Sequence, residues 1–86
     1  MKIILLAWKY DHVRRFCDEQ HISRAQYLEQ FIYVDSREKT MGLRFNKVVI
    51  LPLARERRDF YELRKLVDVY KTEDCEVLEY QWQNRF

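Results

Sequence analysis

Lys2-Ile3-Ile4-Leu5-Leu6-Ala7-Trp8-Lys9-Tyr10-Asp11 is the stretch from which the fold is read. Ile3 to Ala7 run apolar without alternating. A strand that is hydrophobic at every position is buried on both faces, as in a parallel sheet covered by helices. Residues 2–8 are therefore assigned a buried strand. Asp11 follows where a helix cap would sit. Behind it Val13, Phe16, Cys17 and Gln20 fall at helical spacing, with Arg14, Arg15, Asp18 and Glu19 on the wetter side. A strand feeding at once into a helix over about 12–21 is the opening of an α/β chain.

Outward from that stretch the alternation continues. Ser23-Arg24-Ala25-Gln26 is a capping-box pattern for a short second helical segment. Phe31-Ile32-Tyr33-Val34 reads as a second buried strand. Asp35-Ser36-Arg37-Glu38 offers another cap, and Gly42, the only glycine in the chain, suits a left-handed helix end. One to two helical turns fit between them. Lys47-Val48-Val49-Ile50-Leu51 is the clearest strand, closed by Pro52. Phe60, Leu63, Val67 and Tyr70 mark the apolar stripe of a longer helix over about 56–71. In the last segment Leu78, Tyr80 and Trp82 alternate with Glu79, Gln81 and Gln83, the pattern of a half-exposed edge strand. The expected fold class is α/β. A small, mostly parallel four-stranded sheet carries the 12–21 and 56–71 helices, with right-handed crossovers, as a single domain over 1–86.

Composition narrows the class. An 86-residue chain holds one small core, and 48% hydrophobic with 35% charged residues is the make-up of a folded domain. The longest apolar run near the N-terminus, five residues, is too short for a signal-peptide core or a membrane span. Cys17 and Cys75 are far apart and fit two free thiols in a reducing compartment, so a cytoplasmic protein is expected. Charge is uneven: residues 37–65 carry nine basic and four acidic side chains, residues 66–86 two basic and five acidic. A net charge of +2 falls short of a dedicated nucleic-acid binder.

A nucleotide-binding α/β unit needs glycines after its first strand, where backbone N–H groups approach phosphate. Trp8-Lys9-Tyr10-Asp11 has none, nor the Lys-Ser/Thr pair that holds phosphate and magnesium. The scaffold is thus Rossmann-like or P-loop-like without the Gly-rich loop. No nucleotide hydrolysis and no cofactor are expected. Ser23, Ser36, Thr40 and Thr72 sit in no nucleophile elbow, so no catalytic residue is assigned. Cys17 and His21 stand one helical turn apart, but no second ligand pair exists, so no metal site is assigned either.

Ligands of open α/β sheets bind beyond the carboxyl ends of the strands. That rim would gather Trp8, Lys9, Tyr10, Asp11 and His12 after the first strand, Asp35 and Ser36 after the second, and Arg55, Arg57 and Arg58 after the third. Guanidinium forks match phosphate or carboxylate oxygens. The plainer reading makes Asp11 and Asp35 helix caps, Trp8 a packing residue and the arginines solvated. Within 55–65 the interleaved Glu56, Asp59 and Glu62 favour ion pairs with Arg58, Arg64 and Lys65 over a DNA- or membrane-facing helix.

Leu5-Leu6-Ala7, Phe31-Ile32-Tyr33-Val34, Gly42-Leu43-Arg44, Val48-Val49-Ile50-Leu51-Pro52 and Arg58-Asp59 together resemble a group of small phage-encoded proteins. These are similar to a nucleotide-binding or helicase-like α/β half that lacks its phosphate loop. The resemblance spans about residues 3–70 and implies a phage origin; it transfers no catalytic role. The expected function is that of a non-enzymatic accessory protein binding a host or phage protein, through the basic loop or the 77–83 edge strand. That edge also offers a place for a second copy of the chain. Binding of nucleic acid or nucleotide phosphate at the strand-end rim is the alternative.

Overall fold

In the computed structural model, which describes residues 2–36, 39 and 44–83, the chain forms a four-stranded sheet between two helical layers. In chain order the elements are β1 (Lys2–Leu6), α1 (Tyr10–Glu19), α2 (Arg24–Gln30), β2 (Phe31–Tyr33), β3 (Phe45–Ile50), a 3-10 turn (Ala54–Glu56), α3 (Phe60–Tyr70) and β4 (Glu76–Glu79). All three strand pairings are parallel, in the order β2-β1-β3-β4. This agrees with the α/β reading. The order follows the 2-1-3-4-5 pattern of doubly wound sheets such as flavodoxin rather than the 3-2-1-4-5-6 of the dinucleotide-binding Rossmann sheet. Gly42, its Gly42-Leu43-Arg44 junction up to Leu43, most of the short helix expected before it, and Phe86 lie outside the described residues.

The apolar run of β1 is divided between two cores, as period-two geometry requires. Ile4 and Leu6 join Val34, Phe45, Val48 and Ile50 beneath Phe60, Leu63 and Val67 of α3. Leu5 and Ala7 join Phe31, Tyr33, Val49 and Leu51 beneath Val13 and Phe16 of α1. Cys17 packs in the α1 layer and Cys75 in the α3 layer, so the sheet separates the two free thiols. No helix among the described residues is long and apolar enough to cross a membrane.

Element ends correct three expectations. The first helix begins two residues early: Lys9 is its N-cap, without a side-chain cap bond, and Asp11 lies in the first turn. There its charge favours the positive helix end instead of capping it. The expected 56–71 helix is cut at its start. Leu53 is left-handed, a 3-10 turn follows, and Arg57 is extended before α3 opens at Phe60. The Asp59 carboxylate is engaged by Arg57 and caps nothing. The capping box over α2 forms as read, with Gln26 N–H donating to Ser23 Oγ at 3.2 Å and Ser23 N–H to Gln26 Oε1 at 2.9 Å. β4 is an edge strand, but it ends at Glu79, and Tyr80 and Trp82 leave it to pack on the α1 side.

Candidate functional site at the strand-end rim

β1 and β3 are the strands between which the sheet order reverses. The chain leaving β1 turns into α1 on one face, and the chain leaving β3 leads to α3 on the other. In doubly wound sheets the loops that diverge at such a point leave a crevice at the carboxyl edge, and that is where ligands are held. The two exits stay close, since Leu51 N–H donates to the Leu6 carbonyl at 2.9 Å.

The β1 exit supplies Trp8, Lys9, Asp11 and His12. Trp8 is 42% exposed, and the Lys9 ammonium sits 4.9 Å from the Trp8 ring centroid. Asp11 is exposed. The His12 ring meets Trp8 edge-on at 5.9 Å between centroids and Trp82 at 5.4 Å. Its Nδ1 is buried without a hydrogen-bond partner among the described residues. Desolvation holds the imidazole below its ordinary pKa, with Lys9 and Arg15 adding to the effect; Asp11 and the Pro52 carbonyl work the other way. In the fold His12 is thus biased to neutrality.

Trp82 reaches this cluster because the chain after β4 is latched to α1. One oxygen of Glu19 accepts from the Tyr80 hydroxyl at 2.8 Å and from the Gln83 backbone N–H at 2.9 Å. The other oxygen pairs with Arg15 at 2.9 Å, and the Arg15 guanidinium lies 4.3 Å from the Trp82 ring centroid. These donors, the Gln83 N–H foremost, lower the Glu19 pKa. Nothing in the local sequence marks Glu19 or Trp82 as rim residues, because their partners lie some sixty positions away in the chain.

The β3 exit is Leu51-Pro52-Leu53. Leu51 is buried, whereas Leu53 is 53% exposed at φ 65°, ψ 6°. The arginines beyond it are largely committed within the fold. Arg55 pairs with Glu79 of β4 and lies over the Phe60 ring. Arg57 donates to both Asp59 oxygens, to the Tyr33 hydroxyl at 3.0 Å and to the Asp35 carbonyl, which ties the β2 exit to the start of α3. Arg58 is exposed and in no ion pair with a described residue. The pairs expected of Glu56, Asp59 and Glu62 with Arg58, Arg64 and Lys65 are replaced by Arg57–Asp59 and by Arg64 and Lys71 on Asp68. At the β2 exit Asp35 is exposed and pairs with Lys39 at 3.1 Å, and Ser36 is half-buried. Trp8, Lys9 and His12 thus stand at the β1 exit and Leu53 at the adjoining β3 exit, while Asp35 and Arg57 belong to a separate, internally bonded group. Comparison of the chain with protein-family models, with curated proteins and with solved structures found no match.

Proposed function

We propose that this chain is a non-enzymatic binding module that engages a protein partner through the crevice between the β1 and β3 exits, with Trp8 and Leu53 as its apolar anchors. The observation behind this reading is Leu53. A branched, non-glycine residue at φ 65° costs about 1–2 kcal/mol that glycine or asparagine would largely avoid. Leu53 is 53% exposed, so its partial burial in this chain offsets only part of that cost. Retaining an aliphatic side chain there makes sense if something else covers it. Trp8 at 42% exposure is the second anchor, and aromatic and apolar side chains at the centre of a patch dominate protein recognition.

Charge favours a protein over a polyanion. At the rim Glu79, Asp59, Glu19 and Asp35 pair with Arg55, Arg57, Arg15 and Lys39, which leaves Lys9 and Arg58 as the unpaired cations of the β1 and β3 exits. The β4 edge is the weaker surface for a second copy. An antiparallel self-pairing centred between Val77 and Leu78 sets Glu76 against Glu79 of the other copy, and like charges directly opposite are unfavourable. A phage accessory protein working in a host cytoplasm, where thiols stay free, is the setting this reading fits.

The test is affinity capture from host-cell lysate with the wild-type chain, Leu53→Asn and Trp8→Ala in parallel. The reading requires a protein retained by the wild type and lost by both variants. A partner held equally by all three places recognition elsewhere on the molecule.

A further inference from the structure

On the α1 face, away from the crevice, α1 and α2 flank a cleft of about 160 Å³. Val13, Cys17 and Ile22 form its apolar wall, Tyr10 and Tyr27 flank it, and Arg14 and Asp18 of α1 and Arg24 of α2 stand at its mouth. Arg14 and Arg24 form no ion pair with a described residue. Tyr27 is half-buried, and its hydroxyl has no hydrogen-bond partner among the described residues. Removal from water, then the nearby Tyr10, Cys17, Tyr33 and Asp35, push the Tyr27 pKa up to about 12, so this phenol is a neutral donor at any physiological pH.

We infer that this cleft is a binding site for a small carboxylate bearing one aromatic ring. The ring would lie between Tyr10 and Tyr27, and the carboxylate would be shared by Arg14 and Arg24. Guanidinium forks meet a carboxylate with paired hydrogen bonds, and Arg14 of α1 and Arg24 of α2 both line this cleft. Asp18 is the single acidic group lining the cleft, so the charges at the mouth favour an anion. An alcohol of the same shape leaves both guanidiniums unused, and the corresponding amine meets two like charges.

Hydrocinnamate, with its alcohol and amine analogues as the other arms, is titrated into the intact chain while the amide NMR signals of Val13, Cys17 and Tyr27 are followed. The expected result is saturable movement of these signals by hydrocinnamate, with affinity about tenfold or more above that for the alcohol. Arg14→Gln with Arg24→Gln should weaken hydrocinnamate binding by at least about tenfold, with the rest of the amide spectrum unchanged. Three outcomes overturn the proposal: no saturable shift at millimolar carboxylate, equal binding of the alcohol, or undiminished binding by the double variant. The Leu53→Asn chain should bind hydrocinnamate as the wild type does, so failure here and failure of the rim are separable.

Discussion

Leu53 separates what the fold needs from what it retains. Asparagine tolerates the left-handed region better than a γ-branched aliphatic, and replacing an exposed side chain removes no core contact. Leu53→Asn is therefore expected to keep stability or raise it by up to about 1 kcal/mol while abolishing partner capture. Urea denaturation beside the capture assay checks both halves. A loss of stability above about 1 kcal/mol would show that Leu53 supports the fold. Glu19 is the opposite case, a polar residue on which a rim element depends. Its pKa is lowered in the folded state, chiefly by the Gln83 N–H, so the latch contributes fully above the unfolded value of 4.5 and is lost as pH falls through the lower folded value. Tryptophan emission should shift to the red at acid pH, before global unfolding, as Trp82 leaves the His12 cluster. Glu19→Gln should shift it at neutral pH. Neither residue was legible beforehand. The left-handed turn at Leu53 follows from how β3 hands over to the 3-10 turn, and the Glu19 latch is a contact between distant parts of the chain.

At the scale of elements, legibility follows from how local the signal is. Ser23 and Gln26 are three positions apart and meet as their spacing implies. The apolar runs of β1 and β3 reported burial on two faces, which is a property of their own residues. Arg57 misled because its partners Tyr33 and Asp35 belong to another strand exit, and drawing it there delays α3 to Phe60. His21 makes a sharper case. Spaced one turn from Cys17, it looked like half a metal site, yet it sits at φ 55° just past the end of α1. The Ile22 N–H bonds the Cys17 carbonyl at 2.9 Å and the His21 N–H the Asp18 carbonyl at 3.3 Å. These two bonds make a Schellman motif with histidine where glycine is preferred. His21→Gly is expected to stabilise the chain by about 0.5–1 kcal/mol. An unchanged or lowered thermal midpoint would mean that the ring contributes more than its backbone strain costs. The two cores can be probed separately, since Val49 faces α1 and Leu63 faces the sheet from α3. Val49→Ala and Leu63→Ala should each cost about 1–4 kcal/mol, with leucine the larger loss. Equal midpoints for wild type and both variants would contradict the layer assignment.

At the scale of the whole molecule, the sheet order and the charge pairing decide together what the rim can recognise. The order β2-β1-β3-β4 puts the crevice between the β1 and β3 exits, and only the assembled sheet fixes that order. The local excess of positive charge over residues 37–65, plain in the sequence, is partly paired at the rim, where β4 brings Glu79 to Arg55 on the surface and the start of α3 brings Asp59 to Arg57. If Trp8 and Leu53 anchor the partner, as proposed, binding comes from area removed from water, and that contribution is insensitive to screening. A phosphate backbone would instead displace counterions from each cation it met, and affinity would fall steeply with salt. Partner affinity is therefore expected to change by less than about threefold between 50 and 200 mM salt, roughly the loss of a single charge contact. DNA or RNA of generic sequence should be retained weakly and only at the low end of that range. Calorimetry with the captured protein, and filter binding with the nucleic acids over the same salt series, measure the two slopes. A flat slope for the protein beside a steep, weak one for nucleic acid fits an apolar rim. A steep slope for the captured protein, removed by Lys9→Ser with Arg58→Ser, would show that these two rim cations, and not Trp8 and Leu53, carry the interaction.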